Sequence, residues 1–435
     1  MQHSKIAIIG AGVSGLAAAV RLSESGFRGI TLFEARREAG GRTRSFLDPK
    51  TGDTLDNGQH LLMGCYTATL DYLDRIGTSR LIERIPLRIP FWSQTGVRSF
   101  TIDRTLAPPL NLLSAIMRTS MLTLAEKRSA ANLGNALWRN KLPSDLPNLT
   151  CAELFKRFEQ AASLCEKLWE PIVFATLNAS TEQASAVLFT SVIREAFFSS
   201  RKASALLIPK CGLSELLIDP ATALLERHGA LTRLSDPVRN IEIEATGIRI
   251  VTDSDEQVFD RVVNCTNGLQ GSNHTTGPAT QYSPIVNAYF WLDRTIFNAP
   301  IQAFVGMTLQ WAFPKASMFS AQRVALTVSA ADAIVDKSNE EITSLLWSDL
   351  VRTVPSARDA QLMHAQIIRE KRATPLFSPN VQMTRPLSTT DDKRFILAGD
   401  FVQNGLPATI EGAIRNGYAA ADIAIADAAR KMKDY

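Results

Sequence analysis

The N-terminal region alternates between apolar runs and glycine-containing turns in a regular order. Residues 5–9 form an apolar, β-branched run of strand length, and residues 29–33 form a second such run. Between them, apolar residues at positions 16–22 keep helical spacing, and Gly26 predicts the end of that helix. The pattern therefore predicts a strand, a glycine-rich turn, a helix and a second strand.

Two later parts of the chain return to this kind of pattern. A helix is predicted to run through Leu225, with a bend or break at Asp219-Pro220. Alternating segments follow at residues 230–234, 238–244, 247–252 and 257–264. Close to the C-terminus, an apolar run at residues 394–398 predicts a strand, and an alanine-rich helix follows it.

Two longer inserts, residues 70–202 and 269–386, separate these three parts. The first is mostly helical in pattern, and the second has strand-like runs at residues 286–291, 303–306 and 324–329. A helix at residues 340–354 is predicted to start at a capping box of Ser338 and Glu341. We expect the inserts to pair into one domain, and residues 1–69, 203–268 and 387–435 to assemble the other.

Composition limits the classes of function. With 435 residues, 45% hydrophobic and 21% charged, the chain is typical of a folded protein with about two domains. The formal net charge of +4 and the scattered Lys and Arg residues do not suggest a nucleic-acid partner. The five cysteines lack a C-x-x-C pair, which favours reduced thiols in the cytosol, and the five scattered histidines predict no metal site. No run of 18 apolar residues occurs, so no membrane span is expected, and the early first strand leaves no room for a signal peptide.

Gly10, Gly12 and Gly15 have the spacing G-x-G-x-x-G between the first strand and the helix. In this motif the first glycine permits a tight turn, the second lets the backbone approach a pyrophosphate, and the third lets the helix pack against the strand. Val13 and Ser14 belong to the start of the helix, where free N–H groups and the helix dipole favour an anion. These residues predict a dinucleotide site.

The second strand leads directly into Glu34 and Ala35. Glu34 lies about 20 residues after the glycine motif, where a carboxylate accepts hydrogen bonds from a ribose diol. FAD and NAD both fit these features. No second G-x-G-x-x-G occurs, so a dedicated nicotinamide domain is not expected.

Residues 36–43 favour FAD over NAD. This run, which contains Gly41 and Arg42, resembles the extended motif of the amine oxidase and phytoene desaturase flavoprotein superfamily. In that superfamily, glycines and an arginine at these positions contact the pyrophosphate. The resemblance implies a fold of α/β class, α+β overall: a Rossmann-like FAD-binding domain with a parallel sheet, interleaved with a mixed sheet-plus-helix substrate domain.

Four further residues match positions of that superfamily near the flavin. The backbone of Val238 would hold the adenine, although the residue also reads as an ordinary strand valine. Gly399 and Asp400 end a strand and would place a carboxylate on the ribityl chain. Ile410 would begin a helix that points at the pyrimidine end of the flavin, where reduction builds negative charge.

Three motifs match a narrower group within the superfamily. They are Asp56-Asn57-Gly58-Gln59-His60 with Gly64-Cys65-Tyr66, Trp169-Glu170-Pro171 with Thr176-Leu177-Asn178, and residues 406–413. Together they resemble the squalene-associated FAD-dependent desaturases, better described as hydroxysqualene dehydroxylases of bacterial hopanoid synthesis. Residues 264–267 depart from the usual strand end of these relatives, which leaves only that local turn in question.

Membership of this group implies that reduced FAD converts hydroxysqualene to squalene with loss of water. The site must then hold a long apolar isoprenoid and supply a proton to an allylic hydroxyl. His60 is our first candidate for that acid, because imidazole carries a proton near neutral pH and Gly58 and Gln59 should bring it to the flavin. Tyr66 and Glu170 are weaker candidates, and a structural role for His60 remains the alternative.

Residues 85–138 are apolar, proline-punctuated and edged with arginine. Such a segment either lies in a membrane interface, giving a lipid-soluble substrate a route to the flavin, or forms an ordinary amphipathic core helix. The first interpretation predicts a cytoplasmic protein that is peripheral on the inner face of the membrane. The sequence leaves the oligomeric state open.

Two other functions stay open at this stage. A phytoene-type isoprenoid desaturase would run the hydride in the opposite direction, from substrate to oxidised flavin. A non-catalytic prenyl-lipid carrier of the same fold would not need the pyrophosphate and ribityl contacts. An amine oxidase is disfavoured, because such enzymes usually place an aromatic residue where Thr409 stands.

Overall fold

The computed structural model describes residues 4–103, 105–267 and 281–431. The strands are β1 (Lys5–Ile9), β2 (Gly29–Phe33), β3 (Ser45–Leu47), β4 (Thr54–Asp56), β5 (Leu62–Met63), β6 (Ile82–Ile85), β7 (Arg88–Ser93), β8 (Gly96–Thr101), β9 (Leu206–Pro209), β10 (Leu231–Arg233), β11 (Val238–Ile243), β12 (Ile248–Thr252), β13 (Glu256–Phe259), β14 (Arg261–Asn264), β15 (Tyr282–Leu292), β16 (Gln302–Phe304), β17 (Trp311–Lys315), β18 (Gln322–Ser329), β19 (Leu362–Pro375) and β20 (Phe395–Leu397).

The α-helices are α1 (Val13–Glu24), α2 (Thr67–Arg75), α3 (Leu110–Arg118), α4 (Leu124–Trp138), α5 (Cys151–Arg157), α6 (Ala162–Leu164), α7 (Glu170–Leu177), α8 (Ala186–Ile193), α9 (Asp219–Arg227), α10 (Asn339–Thr353), α11 (Pro379–Met383) and α12 (Ile410–Lys431). Wider π-helical turns at Cys165–Trp169, Arg194–Phe198 and Ser214–Ile218 adjoin α7, α8 and α9. Short 3₁₀ turns occur at Ser79–Leu81, Leu146–Asn148, Ala331–Ala333 and Pro355–Ala357.

A parallel sheet carries the glycine-rich turn. Its order is β10-β2-β1-β14-β20, so strands that are far apart in sequence lie side by side. The chain order reverses beside β1, and ligands of such sheets bind at the carboxyl ends of the strands at that point. α1 and α12 pack against each other in the apolar core on one side of this sheet.

A larger mixed sheet has the order β19-β15-β18-β17-β16-β7-β8. All its neighbouring strands are antiparallel except β16 and β7, which run parallel. α10 covers one face and closes a second core over β15 and β18. It begins at the predicted capping box, in which Ser338 and Glu341 each bond the other's backbone N–H. Helices α3 to α8 contribute to a third core that also receives β7 and β8.

The α/β class with a parallel sheet and a mixed sheet is confirmed, but several predicted elements change. Residues 257–264 form two strands rather than one. The chain turns at Asp260, so β13 belongs to a small antiparallel sheet of order β11-β12-β13, whereas β14 belongs to the parallel sheet. Residues 85–92 belong largely to β7 and not to a helix, and the helical structure of the apolar segment comes from α3 and α4. The prediction had no counterpart for β17 or for the 14-residue β19.

Candidate functional site

The three motif glycines have three different physical requirements. Gly10 has φ +96°, and its N–H donates to the carbonyl of Phe33 at 2.7 Å, which makes the tight turn after β1. A Cβ on Gly15 would collide with the Gly10 carbonyl oxygen, so the helix can approach the strand only with glycine there. A Cβ on Gly12 would meet nothing within 4 Å. The structure therefore leaves open space beside the middle glycine, where a pyrophosphate is expected.

The N-terminus of α1 faces that space without a protein partner for its charge. Gly12 is the N-cap residue and has no side chain to cap the helix, and no acidic residue lies in the first turn. Val13 and Ser14 are buried in this turn. A helix start that lacks both a cap and an acidic side chain is suited to an external anion.

Glu34 is buried at the end of β2 and fastens the glycine-rich turn. Its two carboxylate oxygens accept from the backbone N–H groups of Ala11 and Arg36, each at 3.0 Å. Ala35 is exposed, and the segment leading to Val238 returns beside it, because the Asp236 N–H donates to the Glu34 carbonyl at 3.0 Å. A carboxylate has about four acceptor positions, so Glu34 keeps capacity for a ribose hydroxyl.

Arg42 and Asp400 meet at the carboxyl end of the parallel sheet. Their side chains form an ion pair at 2.7 Å, although they lie far apart in sequence. Arg42 also donates to the carbonyl of Ala373 at 2.8 Å, which links this pair to β19. Burial opposes the Arg42 charge, but Asp400, together with Tyr282 and Glu370, raises the pKa of Arg42. Gly41 and Gly399, with φ +59° and +114°, supply the turns that bring the two side chains together.

Two buried side chains that the sequence analysis did not identify hold the loop after Asp400. Arg385 donates to the carbonyls of Asp400, Phe401, Val402 and Leu406. Asn416, on α12, donates to the carbonyls of Gly399 and Val402 at 2.7 and 2.9 Å. Ile410 begins α12 at the end of this loop. An isolated Arg or Asn in a sequence carries no signal for such contacts.

The glycine-rich turn, Arg42 and Asp400 together are called the cradle below. The loop at residues 56–60 joins this cradle to the mixed sheet. Gln59 donates to the hydroxyl of Tyr289 at 2.8 Å, and that hydroxyl donates to the Asp56 carbonyl at 2.8 Å. A Cβ on Gly58 would come within 3.4 Å of the amide of Asn287, so the loop lies close against β15. Tyr289 and Asn287 are further residues that sequence reasoning missed.

His60 lies at the end of this loop, partly accessible yet surrounded by protein. Desolvation lowers the pKa of His60, Arg42 lowers it further, and Asp56 opposes the change. The imidazole is therefore mainly neutral at pH 7. This works against a resting proton on His60 and makes any acid role depend on lower pH or on a bound substrate.

Tyr66 lies where two apolar cores meet, packed against the residues of both. Desolvation raises the pKa of Tyr66, and the nearby Glu411 and Glu195 raise it as well, so the phenol keeps its proton. Glu411 accepts from Arg415 at 2.7 Å, and Arg415 forms a bidentate pair with Glu195 at 2.9 and 2.7 Å. This charged network ties α12 to the helical insert beside Tyr66.

Glu170 begins α7, a helix that packs in the helical core. Desolvation raises the pKa of Glu170, and its acidic neighbours Glu166 and Glu182 add to the effect. The structure thus groups His60 with the Arg42–Asp400 cradle, places Tyr66 at the junction of two cores, and places Glu170 at the start of α7 in the helical insert.

The residues present fit a flavin dinucleotide. The open space at Gly12, the uncapped α1 and the paired Arg42 and Asp400 lie at the strand ends where such ligands bind. Within residues 4–103, 105–267 and 281–431, no group of three His, Cys, Asp or Glu side chains is arranged to hold a metal. No helix in the same ranges is long and apolar enough to cross a bilayer.

Comparison with known families agrees with this fit. The model of the family described as flavin containing amine oxidoreductase matches residues 13–425. The chain therefore belongs to the flavin-containing amine oxidoreductases, and the predicted flavin cofactor and oxidoreductase class are confirmed at the level of this family.

Among curated relatives, the similarity is to one kind of enzyme in particular. The chain is 32% identical over 427 residues to a hydroxysqualene dehydroxylase of Sinorhizobium fredii, covering 97% of this chain and 98% of the relative. It is 31% identical to the hydroxysqualene dehydroxylase of Rhodopseudomonas palustris, covering 96% and 98%. A zeta-carotene desaturase of Synechocystis is more distant, at 23% identity with 98% of each chain covered. The predicted resemblance is confirmed.

Solved structures support the fold alone. A putrescine oxidase bound to putrescine superposes with a TM-score of 0.73 at 17% identity, covering 97% of this chain and 99% of the other. Cyclohexylamine oxidase from Brevibacterium oxydans gives 0.72 at 17% identity, covering 98% and 99%.

Proposed function

We propose that this protein is an FAD-dependent hydroxysqualene dehydroxylase, which converts hydroxysqualene to squalene. The observation that carries the proposal is the full-length similarity to two hydroxysqualene dehydroxylases at 31–32% identity. The Arg42–Asp400 cradle, next to a loop that ends in His60, gives this similarity a candidate site in the structure.

Different residues of the chain would bind different parts of the cofactor. The α1 N-terminus, Gly12 and Arg42 would hold the pyrophosphate, Glu34 the adenosine ribose, and Asp400 the ribityl chain. The segment at Val238 would face the adenine, and Ile410 would orient the helix dipole towards the ring. When bound and reduced, the cofactor supplies a hydride.

The reaction needs one hydride and one proton. The allylic C–O bond breaks, the hydroxyl takes the proton and leaves as water, and the carbon takes the hydride, so the substrate is reduced by two electrons. We propose that His60 delivers the proton, with Tyr66 as the second candidate because it stays protonated at neutral pH. The apolar core beside Tyr66 would exclude water from the rest of the chain-like substrate.

Anaerobic single turnover tests the proposal. Dithionite-reduced holoenzyme mixed with hydroxysqualene should reoxidise its flavin and form squalene in equal amounts. His60→Gln should retain FAD and slow this step. Flavin that stays reduced, with no squalene formed, would overturn the assignment.

A phytoene-type desaturase is the second candidate, supported by the more distant zeta-carotene desaturase. The same preparation separates the two functions. Oxidised holoenzyme incubated with phytoene should remain oxidised and form no conjugated product, whereas a desaturase would reduce its flavin.

We also propose that α3 rests on the inner face of the cytoplasmic membrane. Leu110, Leu113 and Met117 lie on one face of this helix and are 55%, 41% and 45% exposed. Arg118 ends the helix with a side chain that is 72% exposed and pairs with Asp103 at 3.2 Å. Apolar side chains flanked by cations are typical of a helix lying in a bilayer interface.

Vesicle sedimentation tests this surface. Vesicles that contain anionic phospholipid should carry down the wild-type protein, and Leu113→Asp should reduce the bound fraction several-fold. Leu47→Asp, which changes another exposed leucine outside α3, is the matched control and should bind as the wild type does. Equal binding of both variants would remove α3 as the contact.

A further inference from the structure

Arg385 is a buried cation near the cradle, and each of its five side-chain N–H groups has a hydrogen-bond acceptor. Its side chain lies just after α11, and the residue is only 6% exposed. An arginine has five N–H donors. Here Nε donates to Phe401 at 3.2 Å, Nη1 to Leu406 at 2.8 Å, and Nη2 to Asp400 at 3.1 Å and Val402 at 2.6 Å, all to main-chain carbonyls. Nη1 also donates to the side-chain oxygen of Gln382 at 3.0 Å.

These five acceptors are neutral, so they orient the guanidinium without cancelling its charge. Burial lowers the pKa of Arg385 to about 10, and Asp400 opposes this change, so the side chain remains protonated at pH 7. A positive charge therefore contacts the main chain of Asp400, the residue that pairs with Arg42.

The same side chain reaches into the substrate-side core. Its guanidinium stacks on the ring of Phe377 at 4.0 Å, and Phe377 is buried in the core formed by α3 to α8. Arg385 thus lies between the loop that begins at Asp400 and the core beside Tyr66.

We propose that Arg385 is a positioning residue for the flavin: it fixes the Asp400–Leu406 loop and raises the reduction potential of the bound cofactor. The four loop carbonyls accept hydrogen bonds from Arg385, so their negative ends face its positive charge. A positive charge behind the loop favours the reduced, more negative cofactor.

Two substitutions separate geometry from charge. Arg385→Lys keeps the charge but has only one nitrogen, which cannot reach the whole set of carbonyls. It should weaken FAD binding about 10-fold, as the loss of a charge-assisted hydrogen bond predicts, and leave the reduction potential nearly unchanged. Arg385→Met should weaken FAD binding and also lower the potential.

Arg394 provides the matched control. It precedes β20 and donates to the carbonyls of Glu244 and Ala245, but Asp392 pairs with its charge at 2.7 Å. Arg394→Lys and Arg394→Met should keep the FAD affinity and potential of the wild type. The readouts are FAD dissociation, the dye-equilibrated reduction potential, and thermal unfolding of each apoprotein.

If Arg385→Met does not fold, Gln382→Leu removes one acceptor of the same guanidinium and should still weaken FAD binding. Variants at Arg385 that bind FAD with wild-type affinity and potential, and differ only in apoprotein unfolding, would reduce Arg385 to a structural role. These measurements need no hydroxysqualene, so they stand or fall independently of the proposed substrate.

Discussion

At the scale of single residues, the glycine motif contains one glycine that folding requires and another that ligand binding requires. Gly15 serves the protein itself, because any side chain there would press on the Gly10 carbonyl. Gly12 serves the ligand, because its neighbourhood is open and its φ of −75° suits any L-residue. Two positions three residues apart in the same turn are thus under different constraints.

Gly15→Ala and Gly12→Ala should therefore change different properties, the first the stability of the apoprotein and the second the affinity for FAD. We expect Gly15→Ala to lower the free energy of unfolding of the apoprotein by about 1–3 kcal/mol, because the overpacked helix must shift. Gly12→Ala should leave apoprotein unfolding unchanged and weaken FAD binding. Urea unfolding and FAD titration of both variants check this, and equal destabilisation by both would contradict it.

His60 should make the free energy of unfolding depend on pH, and the sign of this dependence is defined. Its pKa lies below the ordinary value of 6.5 in the folded protein, so the unfolded chain binds more protons as the pH falls below about 6.5. The contribution of His60 to stability is then present above pH 6.5 and lost towards acid pH. If protonated His60 is the acid, turnover by reduced enzyme should rise over the same range.

The difference between wild type and His60→Gln isolates this effect from other groups. The variant should lose less stability than the wild type between pH 7 and pH 5, and its turnover should lack the rising acid limb. Parallel pH curves for the two proteins, in unfolding and in turnover, would count against the assignment.

At the scale of elements, one carboxylate joins the N-terminal end of α12 to the N-terminal end of α2. Glu411, in the first turn of α12, accepts from the N–H groups of Ala68 and Thr69 at the start of α2, at 3.0 and 2.8 Å. It is 1% exposed and also bonds Arg415. A buried carboxylate that caps a helix and pairs with an arginine is costly to disturb.

Glu411→Gln should therefore lower the free energy of unfolding by about 1–3 kcal/mol, since the charge-assisted bonds to α2 and Arg415 are weakened. Asp422→Asn is the control on the same helix. Asp422 pairs with Arg21 at 2.6 Å, but its side chain is 52% exposed, so we expect a change of about 0–1 kcal/mol. Urea unfolding of both variants measures the contrast, and comparable losses would contradict it.

At the scale of the whole molecule, the cradle is assembled from distant parts of the chain. Gly12, Arg42 and Asp400 come together only when β1, β14 and β20 pair in parallel. Arg42 and Asn57 also bond residues of β19, which joins the cradle to the mixed sheet. A ligand held by these groups stabilises contacts across the fold.

Removing FAD should therefore lower the unfolding temperature of the protein as a whole. Linkage predicts a gain of about 2.7 kcal/mol at a free FAD concentration 100 times Kd. Arg42→Gln should reduce the dependence of Tm on added FAD, because a pyrophosphate contact is lost. Calorimetry at several FAD concentrations measures this dependence, and a Tm that ignores added FAD would contradict the proposed site.

The sequence by itself determined the local features of this protein. Strand, turn, helix and acid follow from periodicity and from the backbone freedom of Gly10, which neighbouring residues settle among themselves. The capping box at Ser338 is readable for the same reason. The family resemblance added the expectation of FAD, and the comparisons confirmed it at the level of the family.

Only the tertiary structure decided which distant groups meet. The polar run in β19 is tolerated because this strand lies at the sheet edge and pairs through its backbone with β15, so its pattern predicts no buried strand. The contacts of Arg385 with the carbonyls after Asp400, and the lowered pKa of His60, arise from packing between remote segments. Such effects depend on burial and long-range pairing, which no local pattern encodes.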